Sequence, residues 1–165
     1  MTPLFSSDLL LALLRAAADS RIELCGLLRG EGRRIVAADP AANVAADPAR
    51  TFEIDPAALF AAHRDARRPG GAAVVGCYHS HPSGDPMPSA TDAAQAAPDG
   101  MLWLILGHAQ ARLWRAVAAG AVHGRFDPVR FGIADVGNVE KKWLTVHMDV
   151  AGQKLLSAPE REPPR

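Results

Sequence analysis

The apolar run at residues 72–78 does most to restrict the fold: it has the length of a β-strand, follows the pair Gly70 and Gly71, and delivers His79 at its C-terminal end. A strand is therefore expected to hand over directly to a polar segment. The next stretch holds Pro82, Gly84, Pro86 and Pro88 and reads as a loop. Ser89 with Asp92 three residues later forms a capping-box pattern in which Asp replaces the usual Glu or Gln, predicting a helix from Ser89 that ends before Pro98.

The same reading extends along the chain. Leu10, Leu13, Leu14 and Ala17 fall at helical spacing, with Ser6, Ser7 or Asp8 available as N-cap. Residues 22–28 read as a strand ended by Gly30, and residues 34–37 as a second strand returning from the Gly-Glu-Gly turn. Residues 40–48 suggest a loop and residues 51–54 a brief extended segment. Asp55 caps a helix with Pro56 at its first position, running to about Arg68. Residues 101–106 and 112–117 are further strands. Leu144, Val146, Met148 and Val150 alternate with polar residues as in a half-buried strand, and residues 157–165, with three prolines among charges, read as a disordered tail.

With 165 residues, 48% of them hydrophobic and 22% charged, the chain fits one globular domain, expected over residues 1–156. The 18 basic and 18 acidic residues cancel, so no net field favours nucleic acid or anionic lipid; Arg64, Arg67 and Arg68 read as the solvated face of a helix. No apolar run approaches the roughly 18 residues of a membrane span. The Leu- and Ala-rich N-terminus lacks a basic leader and is broken by Arg15, so an amphipathic helix is expected there rather than a signal peptide. Cys25 and Cys77 resemble no disulfide framework, which makes a reducing cytoplasm the expected compartment.

His79 and His81, two apart in an extended segment, project to one side and can reach a single point. A catalytic Zn²⁺ takes three protein ligands and keeps a fourth position open, and Asp92 can supply the third from its helix start. The spacing is equally compatible with exposed turn histidines and an Asp that only caps a helix. Glu23 is either a solvent-facing strand carboxylate or, if it faces the histidines, a base able to take a proton from water. Ser89 can be an N-cap, a hydrogen-bond donor to an oxyanion, or both. Cys25, which shares a face with Glu23, and Cys77, which as a fourth ligand would close the water position, read as core thiols; Trp103 and Trp114 read as packing residues, Asp85 as a turn residue, and Asn43 as a turn residue rather than a binder of substrate backbone. His63, His108, His123 and His147 have no ligand-like spacing.

Glu23 within IELCGLLRG, then HSHP at His79 to Pro82, then PSATD ending on Asp92, together resemble the signature of the JAMM (MPN-type) metalloproteases: a Glu near a CGLL strand, HxHP, seven residues, then SxxD. The resemblance spans roughly residues 8–118. It implies a cytidine-deaminase-like α/β fold, with a central mixed β-sheet flanked by helices. His79, His81 and Asp92 would bind one Zn²⁺, Glu23 would be the acid/base and Ser89 would stabilise the oxyanion. The activity implied is cleavage of the peptide or isopeptide bond after the C-terminal glycine of a ubiquitin-like protein. The short Ala-rich chain resembles the small stand-alone bacterial type, whose partners are ubiquitin-like sulfur-carrier proteins, with neither nucleic acid nor membrane involved. A homodimer is left open. The string HPSGDPMPS is also similar to the RadC family, which shares the fold, but the CGLL segment argues against that assignment; a non-catalytic binding module of this fold is the other alternative, against which the intact set Glu23, His79, His81 and Asp92 counts.

Overall fold

The computed structural model describes residues 1–134; the expected strand around residues 144–150, His147 and the expected tail at 157–165 lie outside the described residues. The expected mixed central sheet is present. Among the described residues it has eight strands, ordered β7-β6-β5-β4-β2-β3-β1-β8. These are β1 (Leu4–Phe5), β2 (Cys25–Glu31), β3 (Arg34–Ala41), β4 (Ala73–Ser80), β5 (Leu102–Leu106), β6 (Ala111–Gly120), β7 (Gly124–Val129) and β8 (Gly132–Ile133). The helices are α1 (Ser7–Ala18), α2 (Pro56–Ala66) and α3 (Ala90–Gln95). The neighbours β2, β3 and β4 pair antiparallel, whereas β4 and β5 run parallel, which requires the crossover that carries the proline-rich loop and α3.

Two cores flank the sheet, and alternation along its strands feeds both. On β5, Leu102, Leu104 and Leu106 join a cluster with Leu13 and Ala17 of α1, while Ile105 and Trp103 turn to a second cluster with Ala96, Trp114 and Phe126. A strand covered on both faces shows a continuous apolar run, as residues 101–106 do, and each fully buried side chain such as Leu104 contributes on the order of 1.5–3 kcal/mol. Close packing of the central strands requires Gly76, where a Cβ would lie 2.0 Å from the carbonyl oxygen of Leu102. None of the helices among the described residues is long and apolar enough to cross a membrane.

The helix starts follow the sequence. Ser6 caps α1, Asp55 caps α2 with Pro56 in its first turn, and Ser89 caps α3 through a reciprocal capping box with Asp92. Strand limits differ more. β2 begins at Cys25 rather than residue 22, β3 runs on through Pro40 to Ala41, and β4 continues past His79 to Ser80. β1, β7 and β8 had no legible pattern; β7 contains Pro128, which a strand tolerates at the sheet edge that β7 occupies.

Candidate metal centre

The site forms where the C-terminal end of β4 meets the lead-in to β2 and the start of α3. Cys25 on β2 lies opposite His79 on β4, so the two residues before Cys25 run beside the histidines. Ser80, buried between the two histidines in sequence, faces the other way and locks this lead-in: its backbone N–H donates to Leu24 O and its hydroxyl accepts from Leu24 N–H, each at 2.9 Å. Glu23 is held by its own backbone, its N–H donating to Pro48 O at 2.7 Å and its carbonyl accepting from Asn43 Nδ2 at 2.9 Å. Asn43 also donates to Thr51 O and accepts from the N–H groups of Ala45 and Glu53, so its amide is fully committed to bracing this loop.

The side chains converge. His79 Nε2 and His81 Nε2 are 3.0 Å apart, and the Asp92 carboxylate reaches them at 3.3 and 3.4 Å. Ligand atoms around a tetrahedral zinc sit roughly 3.3 Å from one another, and the two imidazole nitrogens and the carboxylate, which meets His79 through Oδ1 and His81 through Oδ2, lie at spacings of that order. The Glu23 carboxylate lies on the same side, its oxygen and both imidazole nitrogens falling within 4.8 Å of one another. Two ring nitrogens this close are satisfied only by a shared proton or a shared cation. Nδ1 of His81 donates to Asp85 O at 2.7 Å, which leaves its Nε2 lone pair for that cation. Asp92 Oδ2 accepts from both the N–H and the hydroxyl of Ser89, at 2.7 and 2.8 Å, while Oδ1 is the oxygen facing His79. The donor set thus fits a zinc ion.

Burial sets the electrostatics. Glu23 is 5% exposed, its Oε2 has no hydrogen-bond partner, and desolvation pushes its carboxyl up to about 7; positive charge at His81 opposes the rise and Asp92 adds to it. Complete burial lowers His79 below the usual imidazole value despite its hydrogen bond to Asp92, keeping it neutral and ligand-competent. For His81 burial works in the same direction, but the Asp92 carboxylate, the Asp85 carbonyl and Glu23 outweigh it and raise the group. Asp92 is desolvated too, yet hydrogen bonds from His79 and His81 hold it well below the usual carboxylate range.

All five residues singled out in the sequence, Glu23, His79, His81, Ser89 and Asp92, come together here, and Ser89 takes the capping position. The roles of five others were not legible. Phe52 stacks on His79 at 4.3 Å between ring centroids, forming an apolar wall with Trp103. Three ring N–H groups pin the loop behind His81: His108 Nε2 to Pro82 O at 3.0 Å, Trp114 Nε1 to Pro86 O at 3.1 Å and His123 Nε2 to Pro88 O at 3.1 Å. Each contact joins residues more than twenty apart, which no local spacing announces. Cys25 is a buried free thiol, as expected of a core residue, and Cys77 is a free thiol on β4 that is only partly buried.

Comparison with known proteins identifies the family. The desampylase of Haloferax volcanii is 41% identical over 92 residues, a match covering 54% of this chain and 66%, just under two thirds, of that protein. In fold, the chain is similar to a protein from Desulfitobacterium hafniense (TM-score 0.68, 23% identity, covering 81% of this chain and 94% of the other). It is also similar to a JAB1/MPN domain protein from Archaeoglobus fulgidus (TM-score 0.52, 17% identity, covering 81% and 98%). The family described as prokaryotic homologs of the JAB domain matches residues 6–117, the stretch that carries Glu23, both histidines, Ser89 and Asp92, and the chain belongs to that family.

Proposed function

We propose that the chain is a zinc-dependent peptidase or isopeptidase that cleaves after the C-terminal glycine of a ubiquitin-like or sulfur-carrier protein. The observation that carries this reading is the convergence of His79, His81 and Asp92 at 3.0–3.4 Å with a buried Glu23 carboxylate beside them whose Oε2 has no hydrogen-bond partner. The similarity to desampylase supports the substrate class. One zinc per chain would be held by His79, His81 and Asp92. When bound, such a cation supplies Lewis acidity toward a carbonyl and lowers the pKa of water.

The remaining work falls to the chain. Glu23, raised to about 7, is poised to accept a proton from the attacking water near neutral pH and to return it to the leaving amine. The Phe52 and Trp103 rings beside His79 keep bulk water from the ligand set, which strengthens every charge interaction there. Ser89 can turn its hydroxyl from Asp92 toward an oxyanion while its backbone N–H keeps hold of Oδ2. A Gly-rich tail suits such a site, because it can lie extended and pair through its backbone. Two cysteines that remain free thiols support a cytoplasmic setting.

The test is Glu23→Gln assayed on a ubiquitin-like fusion cleaved after its terminal glycine. Zinc content equal to wild type with turnover abolished is expected; a Gln variant that still cleaves contradicts the role of Glu23.

A further inference from the structure

The contact between His123 and Pro88 reaches closer to the metal ligands than its position in a distant hairpin suggests. His123 occupies the turn joining β6 to β7, where Arg125 N–H closes onto Val122 O. Its φ is +50° and that of Gly124 is +67°, the pair of positive values that a tight hairpin turn of this hand requires. Asn, Asp and Gly favour the first of these positions, and a histidine there goes against local preference. The side chain supplies the reason. Its Nε2 donates to Pro88 O at 3.1 Å, and the peptide group that carries this carbonyl ends in the Ser89 N–H, which donates to Asp92 Oδ2 at 2.7 Å.

One rigid peptide plane is therefore held at both ends, by His123 on its oxygen and by a metal-facing carboxylate on its nitrogen. Fixing the carbonyl fixes the direction of the N–H, and a hydrogen bond accepted at the oxygen polarises the amide and strengthens the bond it donates. His81 and the Ser89 hydroxyl also meet Asp92 at Oδ2, while His79 meets Oδ1, so a fixed Oδ2 sets the direction in which Oδ1 faces His79.

We propose that His123 is a positioning residue that aims Asp92 at the metal through the Pro88–Ser89 peptide group. The inference rests on the metal-site reading above. It assigns His123 no contact with metal or substrate.

The experiment compares the wild-type chain with His123→Gly and His123→Gln in three readouts: thermal unfolding without metal, zinc affinity by chelator competition, and the visible spectrum of the cobalt(II)-loaded protein. Glycine suits the turn but removes the donor, so H123G is expected to unfold no earlier than wild type when metal-free, yet to bind zinc about tenfold more weakly and to show a shifted cobalt spectrum. Gln places an N–H at a similar reach and is expected to restore affinity and spectrum toward wild type. Unchanged zinc affinity and spectrum in H123G overturn the proposal, as does a loss matched by an equal fall in metal-free stability, or a Gln variant no better than Gly. A wild-type chain that binds neither zinc nor cobalt overturns the metal reading itself and this proposal with it, so the two failures are distinguishable.

Discussion

Replacing Glu23 with Gln should stabilise the metal-free fold above neutral pH even as it removes the proposed base. The carboxyl is 5% exposed, one of its oxygens has no partner, and its pKa is raised from 4.5 to about 7. A rise of that size means that ionised Glu23 is disfavoured in the folded chain by about 3 kcal/mol as a ceiling. The value of about 7 already includes the attraction to His81, and relaxation of the metal-free site around the charge brings the expected figure to about 1–2 kcal/mol. The folded chain keeps this proton where the unfolded chain has lost it, so wild-type stability falls as pH climbs from about 4.5 to about 7, and the loss is complete above that. Gln cannot ionise and escapes the loss. Urea unfolding in the presence of a chelator at pH 5, 6, 7 and 8 should therefore show the advantage of E23Q over wild type growing by about 1–2 kcal/mol across the series. A gap between the two proteins that stays constant with pH would refute the claim that Glu23 is held in a charge-averse setting.

Ser89→Ala removes both an N-cap and a hydroxyl donor to Asp92; about 1 kcal/mol of stability should go, measured by urea unfolding, with kcat lowered on the order of 10²–10³ if the hydroxyl serves the oxyanion. Normal turnover in that variant would remove the oxyanion role. Gly76→Ala drives a methyl group against the Leu102 carbonyl in the middle of the sheet; destabilisation of about 3 kcal/mol or loss of the folded chain is expected, read from soluble yield and urea midpoint. The Cys25 thiol is raised to about 11, first by burial and then by Glu23, and burial raises Cys77 further still; both should resist iodoacetamide in the native protein at pH 8 and react once it is unfolded in urea.

The sequence announced the ligands because their chemistry is local: two histidines on one face of a strand end, and an acid in the first turn of a helix whose N-cap lies three residues earlier. The helix caps Ser6, Asp55 and Ser89 were legible for the same reason. Strand limits were less so. The lead-in holding Glu23 resembles strand in composition, but its N–H is taken by Pro48 rather than by a sheet neighbour. β7 was hidden by Pro128, which fits a strand at the edge of the sheet, and none of the described strands lies beyond it. The braces around the loop, His108, Trp114 and His123, depend on tertiary contact alone. Asn43 had the composition of a turn residue, and only the fold reveals that it fastens Glu23.

Zinc content of the purified chain tests the central claim most directly, measured by elemental analysis on wild type and on a His79→Ala, His81→Ala double variant, alongside cleavage of a ubiquitin-like C-terminal fusion. About one zinc per wild-type chain, lost together with cleavage in the double variant, is the predicted result. Cleavage that survives without bound metal, or a wild-type chain that binds none, would contradict the account.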